Sequence, residues 1–177
     1  LGHISLRAQG PKAEPWKVSL IDTGVDTMTG GRIKKIESYV GKQTFMLTYG
    51  DSLGNIDIKE SLSFHKKYGK FATITAVQQA GRFGALKIAN SGNVNSFSEK
   101  PKGDGAWING GFFILKPEIF SYIKDDSVMW EHQPLERLAA LNQLNAYKQN
   151  GFWKSMDTLR EKIELEDMWN EGNPPWK

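Results

Sequence analysis

Apolar and polar positions change period several times along the 177 residues, and each change marks an element. Ile4 and Leu6 alternate with Ser5 and Arg7. Beyond a polar stretch broken by Gly10, Pro11 and Pro15, the residues Trp16, Val18 and Leu20 alternate with Lys17 and Ser19. A period of two predicts two strands, the second half-buried and ending at Asp22. Residues 23–31 read as a loop rich in Gly and Thr, suited to close backbone approach or simply to a turn. Arg32 opens a predicted helix through Ile33, Ile36 and Val40 that closes at Gly41. Residues 45–49, Phe-Met-Leu-Thr-Tyr, form a nearly continuous apolar run. Such a run predicts a strand buried on both faces, as in parallel sheets, stopped by Gly50-Asp51.

Ile58, Leu62, His65 and Tyr68 follow a helical period up to Gly69, and residues 71–77 form a β-branched strand. With the strand at 45–49 they make a strand, helix, strand unit. Two further strands, 84–88 and 94–98, flank Asn90-Ser91-Gly92-Asn93, a hairpin signal. After a loop at residues 99–105 comes a buried strand at 110–115, then a short helix begun by Pro117. Leu135, Leu138 and Leu141 mark another helix, residues 145–149 a polar strand, and Leu159, Ile163 and Met168 a last helix closed by Gly172. The alternation predicts one α/β domain over residues 1–177, with a mixed, mostly parallel sheet flanked by helices.

Composition narrows the class of partner. Lys and Arg number 23 against 20 Asp and Glu, a net charge of +3, and the two signs interleave along the chain. There is no polybasic stripe, so nucleic acid is not an expected partner. A hydrophobic share of 39% excludes disordered and fibrous classes. Cysteine is absent, which removes disulfides, a thiol nucleophile and cysteine metal sites. No apolar run reaches the ~20 residues that span a bilayer, and the chain opens Leu1-Gly2-His3-Ile4 with no signal-like segment. A reducing, cytoplasmic setting without a membrane partner is expected.

Few residues stand out as chemical candidates. Asp51 follows a buried strand, where open α/β sheets bind ligands and where a carboxylate can hold a metal against a phosphate; it can equally cap the next turn. Asp157, just before the last helix, reads either as a metal ligand or as that helix's N-cap. Glu99 and Lys100 end a strand beside Lys102, and a lysine there can pair with phosphate or simply be solvated. Gly81-Arg82-Phe83-Gly84 and Asn109-Gly110-Gly111 offer backbone that a ligand can approach closely. His3, His65 and His132 share no zinc spacing, and no Gly-x-Ser-x-Gly occurs.

In order along the chain, Glu14-Pro15-Trp16-Lys17-Val18, Asp22-Thr23-Gly24, Thr27-Met28-Thr29-Gly30-Gly31-Arg32 and Tyr49-Gly50-Asp51 are followed by Gly81-Arg82-Phe83-Gly84-Ala85-Leu86. Then come Glu99-Lys100-Pro101-Lys102-Gly103-Asp104-Gly105, Ile108-Asn109-Gly110-Gly111-Phe112-Phe113 and Met156-Asp157-Thr158-Leu159-Arg160. Together these segments resemble the sugar nucleotidyltransferases, in particular the branch that joins CTP to glucose 1-phosphate. The resemblance implies a nucleotide-diphospho-sugar transferase, Rossmann-like fold and in-line attack of a sugar phosphate on the α-phosphorus of the nucleotide, with pyrophosphate leaving. It implies Asp51 and Asp157 as Mg2+ ligands and Lys100 as the partner of the sugar phosphate. Glu99, Gly84, Asn109 and Gly110 would line the sugar pocket, and Thr29, Gly30, Gly31 and Arg32 would face the nucleotide. The implied product serves deoxysugar and surface-polysaccharide synthesis.

The family's opening strand, its Gly-Gly-x-Gly-Thr-Arg loop and its Pro-Lys-Pro segment have no counterpart in these 177 residues. Ser52-Leu53-Gly54-Asn55 also replaces an expected Gly-Val-like turn. The resemblance therefore implies the acceptor-side part of such an enzyme, without the donor-side phosphate cradle. The alternative is a remnant that binds a sugar phosphate or a partner without turnover. The strand at 45–49, lacking its family neighbour, would leave an open sheet edge, so a homo-oligomer is expected.

Overall fold

The computed structural model describes residues 3–7, 16–79, 85–99 and 106–177. In chain order the elements are β1 (His3–Arg7), β2 (Lys17–Ile21), α1 (Thr29–Lys35), α2 (Glu37–Val40), β3 (Phe45–Thr48), β4 (Ser52–Gly54), α3 (Ile58–Tyr68) and β5 (Ala72–Val77). They continue with β6 (Ala85–Ile88), β7 (Val94–Ser98), β8 (Ile108–Leu115), a 3₁₀ turn (Pro117–Tyr122), α4 (Gln133–Ala140), β9 (Leu144–Gln149), β10 (Trp153–Ser155) and α5 (Leu159–Asn170). They group into two compact units, Leu1–Phe45 with Lys116–Gln143, and Met46–Leu115 with Leu144–Lys177. No helix among the described residues is long and apolar enough to cross a membrane.

The first unit holds the antiparallel ribbon β1–β2, with Ile4 opposite Leu20 and Leu6 opposite Val18. The strand expected to be half-buried is exposed instead: Trp16, Val18 and Leu20 all face solvent. A two-stranded ribbon has no second layer of its own to cover them. The helix expected from Arg32 starts earlier, at Thr29, and is interrupted at Ile36, which closes α1 and opens α2. The core of this unit comprises Ile33, Ile119, Phe120, Ile123, Trp130, Leu135 and Leu138, all buried. Phe45 stacks on Phe120 at 5.5 Å between ring centroids.

The second unit is built on a four-stranded sheet of order β3-β8-β5-β9. It is mixed: β5 runs antiparallel to β8 and parallel to β9. The strand, helix, strand unit is therefore not a pair of neighbours, because β8 inserts between β3 and β5. Nor is β3 buried on both faces. It stands at the sheet edge with alternate residues half-buried, since β8 is its one partner among the described residues. Central β5, in contrast, is buried at Ala72, Thr73, Thr75, Ala76 and Val77. Two short strands that the periodicity did not signal, β4 and β10, pair with each other.

α3 is anchored by Asp57, whose carboxylate accepts from the Glu60 N–H at 2.8 Å. His65, fully buried, meets the Thr73 hydroxyl through Nδ1 at 2.8 Å. From the same helix Glu60 Oε2 accepts from the Tyr147 hydroxyl on β9 at 2.7 Å. Burial, then that bond, pushes the Tyr147 phenol from 10.0 up to about 12. Because the folded value lies above the unfolded one, the associated stability is complete below pH 10 and is lost as pH rises toward 12. Melting curves should accordingly fall between pH 10 and 12. Tyr147→Phe should flatten that fall; an unchanged slope in the variant would show that Tyr147 is not its source.

Candidate active site

Within the second unit three segments converge where β3, β8 and β10 end or begin. β10 pairs antiparallel with β4, Ser155 opposite Ser52, and the Met156 N–H extends the ladder by donating to the Asp51 carbonyl at 2.7 Å. The two acids, far apart in sequence, thus come to the same end of one short ladder. The Trp153 indole N–H donates to the Gly110 carbonyl at 2.8 Å, tying β10 to β8. The Tyr49 N–H donates to the Gly111 carbonyl at 3.3 Å, tying the end of β3 to β8.

At Gly110-Gly111 the β5–β8 register shifts. Gly111 has φ +78°, and a Cβ there would lie 2.7 Å from the Tyr49 ring. Its N–H is held by the Asn109 carboxamide oxygen at 2.8 Å. Glycine is needed on both counts, conformation and space. Asn109 stays paired with Ala76, and the irregularity falls just after it, where the Gly110 carbonyl accepts from Trp153, a common arrangement beside functional sites.

Asp51 and Asp157 are exposed, and neither carboxylate has a hydrogen bond or ion pair among the described residues. Asp157 is not the N-cap of α5. That position belongs to Thr158, whose hydroxyl accepts from the Glu161 N–H while the Glu161 carboxylate accepts from the Thr158 N–H, a reciprocal capping box. The capping alternative for Asp157 is thereby removed, and the Thr-x-x-Glu signature that decides it was legible in the sequence. α5 is held to β10 by the Lys154–Glu164 ion pair, and Arg160 joins it at 2.9 Å. Those two bonds, first Lys154 and then Arg160, pull the Glu164 carboxyl below its usual range.

Two uncommitted carboxylates suit a hard divalent cation, which accepts one or two carboxylates and leaves its remaining positions for phosphate oxygens. Among the described residues no group of three or more His, Cys, Asp or Glu could hold a metal unaided. Glu99 is exposed just beyond β7, and no hydrogen bond or ion pair among the described residues ties it to Asp51 or Asn109. Gly84 and Lys100 lie outside the described residues.

Thr29, Gly30, Gly31 and Arg32 sit in the first unit, at the start of α1. The Thr29 hydroxyl donates to Glu131 Oε2 at 2.7 Å and accepts from the Trp130 N–H at 2.9 Å. A Cβ on Gly31 would lie 2.6 Å from Asp126 Cα, and one on Gly30 2.7 Å from the Val128 carbonyl oxygen. The Arg32 guanidinium donates to the Thr23 hydroxyl at 2.6 Å and to the Val25 carbonyl at 3.2 Å. The contributions of Asp126 and Glu131 had no sequence signal, because charged residues in a loop ordinarily read as solvated surface.

Residues 16–158 match the nucleotidyl transferase family, to which this chain belongs. Glucose-1-phosphate cytidylyltransferase of Salmonella typhimurium is 52% identical over 94% of this chain. The chain spans 65% of that relative's length. The probable glucose-1-phosphate cytidylyltransferase of Bacillus subtilis is 44% identical over 99% of the chain and 68% of its own length. Among solved structures, UDP-glucose pyrophosphorylase complexed with UDP-glucose superposes with a TM-score of 0.60 at 18% identity, covering 85% of this chain and 65% of that one.

Proposed function

We propose that this chain is the acceptor-side part of a glucose-1-phosphate cytidylyltransferase, which converts CTP and glucose 1-phosphate into CDP-glucose and pyrophosphate. The observation that carries the reading is the β4–β10 ladder, which brings Asp51 beside Met156 and Asp157 with both carboxylates uncommitted. The 52% identity to the Salmonella enzyme supports the choice of substrates.

In this reading Asp51 and Asp157 hold Mg2+, which when bound neutralises phosphate charge. Asn109 and the Gly110 backbone, with Gly84 and Glu99, orient the hexose hydroxyls. Lys100 pairs with the sugar phosphate and keeps its oxygen directed at the α-phosphorus, and Thr29, Gly30, Gly31 and Arg32 serve the nucleotide. Catalysis is then largely positioning and charge neutralisation, with no covalent intermediate required of the chain. The product would feed deoxysugar and surface-polysaccharide synthesis, and the working form is read as a cytoplasmic homo-oligomer, because β3 leaves a sheet edge unpaired among the described residues.

Calorimetric titration with glucose 1-phosphate tests the acceptor side. Binding should weaken by about 10- to 100-fold in Lys100→Ala, since a charge-assisted bond contributes roughly 1.5 to 3 kcal/mol. A folded sample that gives no heat with millimolar ligand, or a variant that binds as tightly as the parent, would reject these assignments.

A further inference from the structure

Within the four-stranded sheet of the second unit, one row of residues crosses three strands in register. Asn109 on β8 and Lys148 on β9 both stand opposite Ala76 on β5. Directly opposed residues project to the same side of a sheet, so Asn109 and Lys148 share a side, about 10 Å apart across β5. α3 occupies the other side, where His65 meets Thr73 and Glu60 meets Tyr147. Trp107 lies two residues before Asn109, about 7 Å along the strand direction. The Lys148 ammonium stands over its indole, 5.2 Å from the ring centroid, which places Trp107 on the side of Asn109.

The row lies where the parallel strands β5 and β9 end, and open α/β sheets take their ligands at that end. Trp107 is half-buried, and Lys148 is exposed. Among the described residues neither side chain has a hydrogen bond or an ion pair, so the cation–π contact is what holds the pair together. An exposed contact of this kind adds little to the stability of the fold, but it does fix the plane of the ring. The polar groups of the acceptor pocket, Asn109 and Gly110 with Gly84, Glu99 and Lys100, suit hydroxyls and phosphate and leave the ring carbons of a hexose without an apolar surface. Ligand pockets ordinarily combine a few placed polar groups with aromatic wall, and an indole supplies a large, rigid one.

We infer that Trp107 is the apolar wall of the hexose pocket and that Lys148 is a positioning residue, which pins the indole so that its exposed surface meets the ring carbons of a hexose bonded to Asn109. The inference rests on the acceptor-side reading above and adds two residues which that reading does not use. Lys148 acts through Trp107.

The test titrates the 177-residue chain with glucose 1-phosphate by calorimetry and, on isotope-labelled protein, by NMR of the indole N–H groups. The Trp107 resonance is identified by its absence from Trp107→Phe. It should shift during the titration, with the Kd that calorimetry gives. Trp107→Leu should weaken binding by about tenfold, and Trp107→Phe, which keeps an aromatic wall, by less. Lys148→Met, at an exposed position that folding does not depend on, should weaken binding by about two- to fivefold. Lys148→Arg should restore it, since a guanidinium also stacks on indole. Heat from the parent with a Trp107 resonance that does not move, or parental affinity in Trp107→Leu, would overturn the inference while leaving the acceptor-side reading standing. Parental affinity in Lys148→Met, or no recovery in Lys148→Arg, would overturn the role given to Lys148. A folded parent that gives no heat at millimolar ligand would instead sink the acceptor-side reading, and the inference with it.

Discussion

In an active protein of the relatives' length, Asp51→Asn should lower kcat for pyrophosphate release by about 10²- to 10³-fold while leaving the melting temperature at its parental value. The loss corresponds to removing one preorganised charge from the transition state, about 2.7 to 4 kcal/mol. The preserved stability follows from exposure and from the absence of any carboxylate contact among the described residues. What the fold takes from Asp51 is its backbone carbonyl, which accepts from the Met156 N–H and survives the substitution. Asp157→Asn should behave alike. If the two acids serve one cation, the double variant should be little worse than either single one, since residues acting as a unit are grossly non-additive. Steady-state kinetics at saturating CTP and glucose 1-phosphate check all three. Additive losses would separate the two acids, and a variant with parental kcat would remove Asp51 from the site.

Gly31→Ala should destabilise the protein by about 3 kcal/mol, at the upper end of overpacking effects, and lower its melting temperature by about 6 to 12 °C. The new methyl would meet Asp126 Cα at 2.6 Å, the Asp126 carbonyl oxygen at 2.8 Å and Thr27 Cγ2 at 2.7 Å. Two of those three atoms are backbone, so no rotamer change relieves the contact. α1 would have to move from the 126–128 segment and give up the bonds from Met28 N–H to the Asp126 carbonyl and from Gly31 N–H to the Val128 carbonyl. Gly41→Ala is the matched control for losing a glycine without steric conflict, since nothing lies within 4 Å of a Cβ there, although its φ of +71° carries a conformational cost. A melting temperature within about 2 °C of the parent in Gly31→Ala would show that the packing around Asp126 yields more readily than close-packed interiors do.

Local signals decided most elements because they depend on neighbours in sequence. Asp57, Gly69 and the helical period between them delimit α3 without reference to anything distant. Asn90-Ser91-Gly92-Asn93 closes the β6–β7 hairpin in the same way, with the Ala89 N–H bonded to the Asn93 carbonyl at 2.8 Å. β4 and β10 escaped notice since three residues are too few to show a period. The burial of β2 and β3 was overestimated for a related reason: alternation marks the face a strand could bury, whereas layers elsewhere decide whether it is covered.

By its residues alone this chain determined the kinds of groups available, its family resemblance, and which positions could cap, turn or bond to phosphate. Asp157 illustrates the limit. Its type and its position before a helix suited a cap and a ligand equally, and Thr158 with Glu161 settled the cap through bonds within one helical turn. That Asp157 then stands by Asp51 depends on antiparallel pairing between segments separated by most of the second unit. Likewise, Lys35 carries no mark in the sequence to distinguish it from the solvated lysines around it. Its three partners come from the loop before α1 and from Asp126, far along the chain. Side-chain chemistry is a property of each residue and can be read singly, but convergence is a property of the closed loops between residues. Only folding brings those loops shut, when burial and pairing offset the entropy of closure.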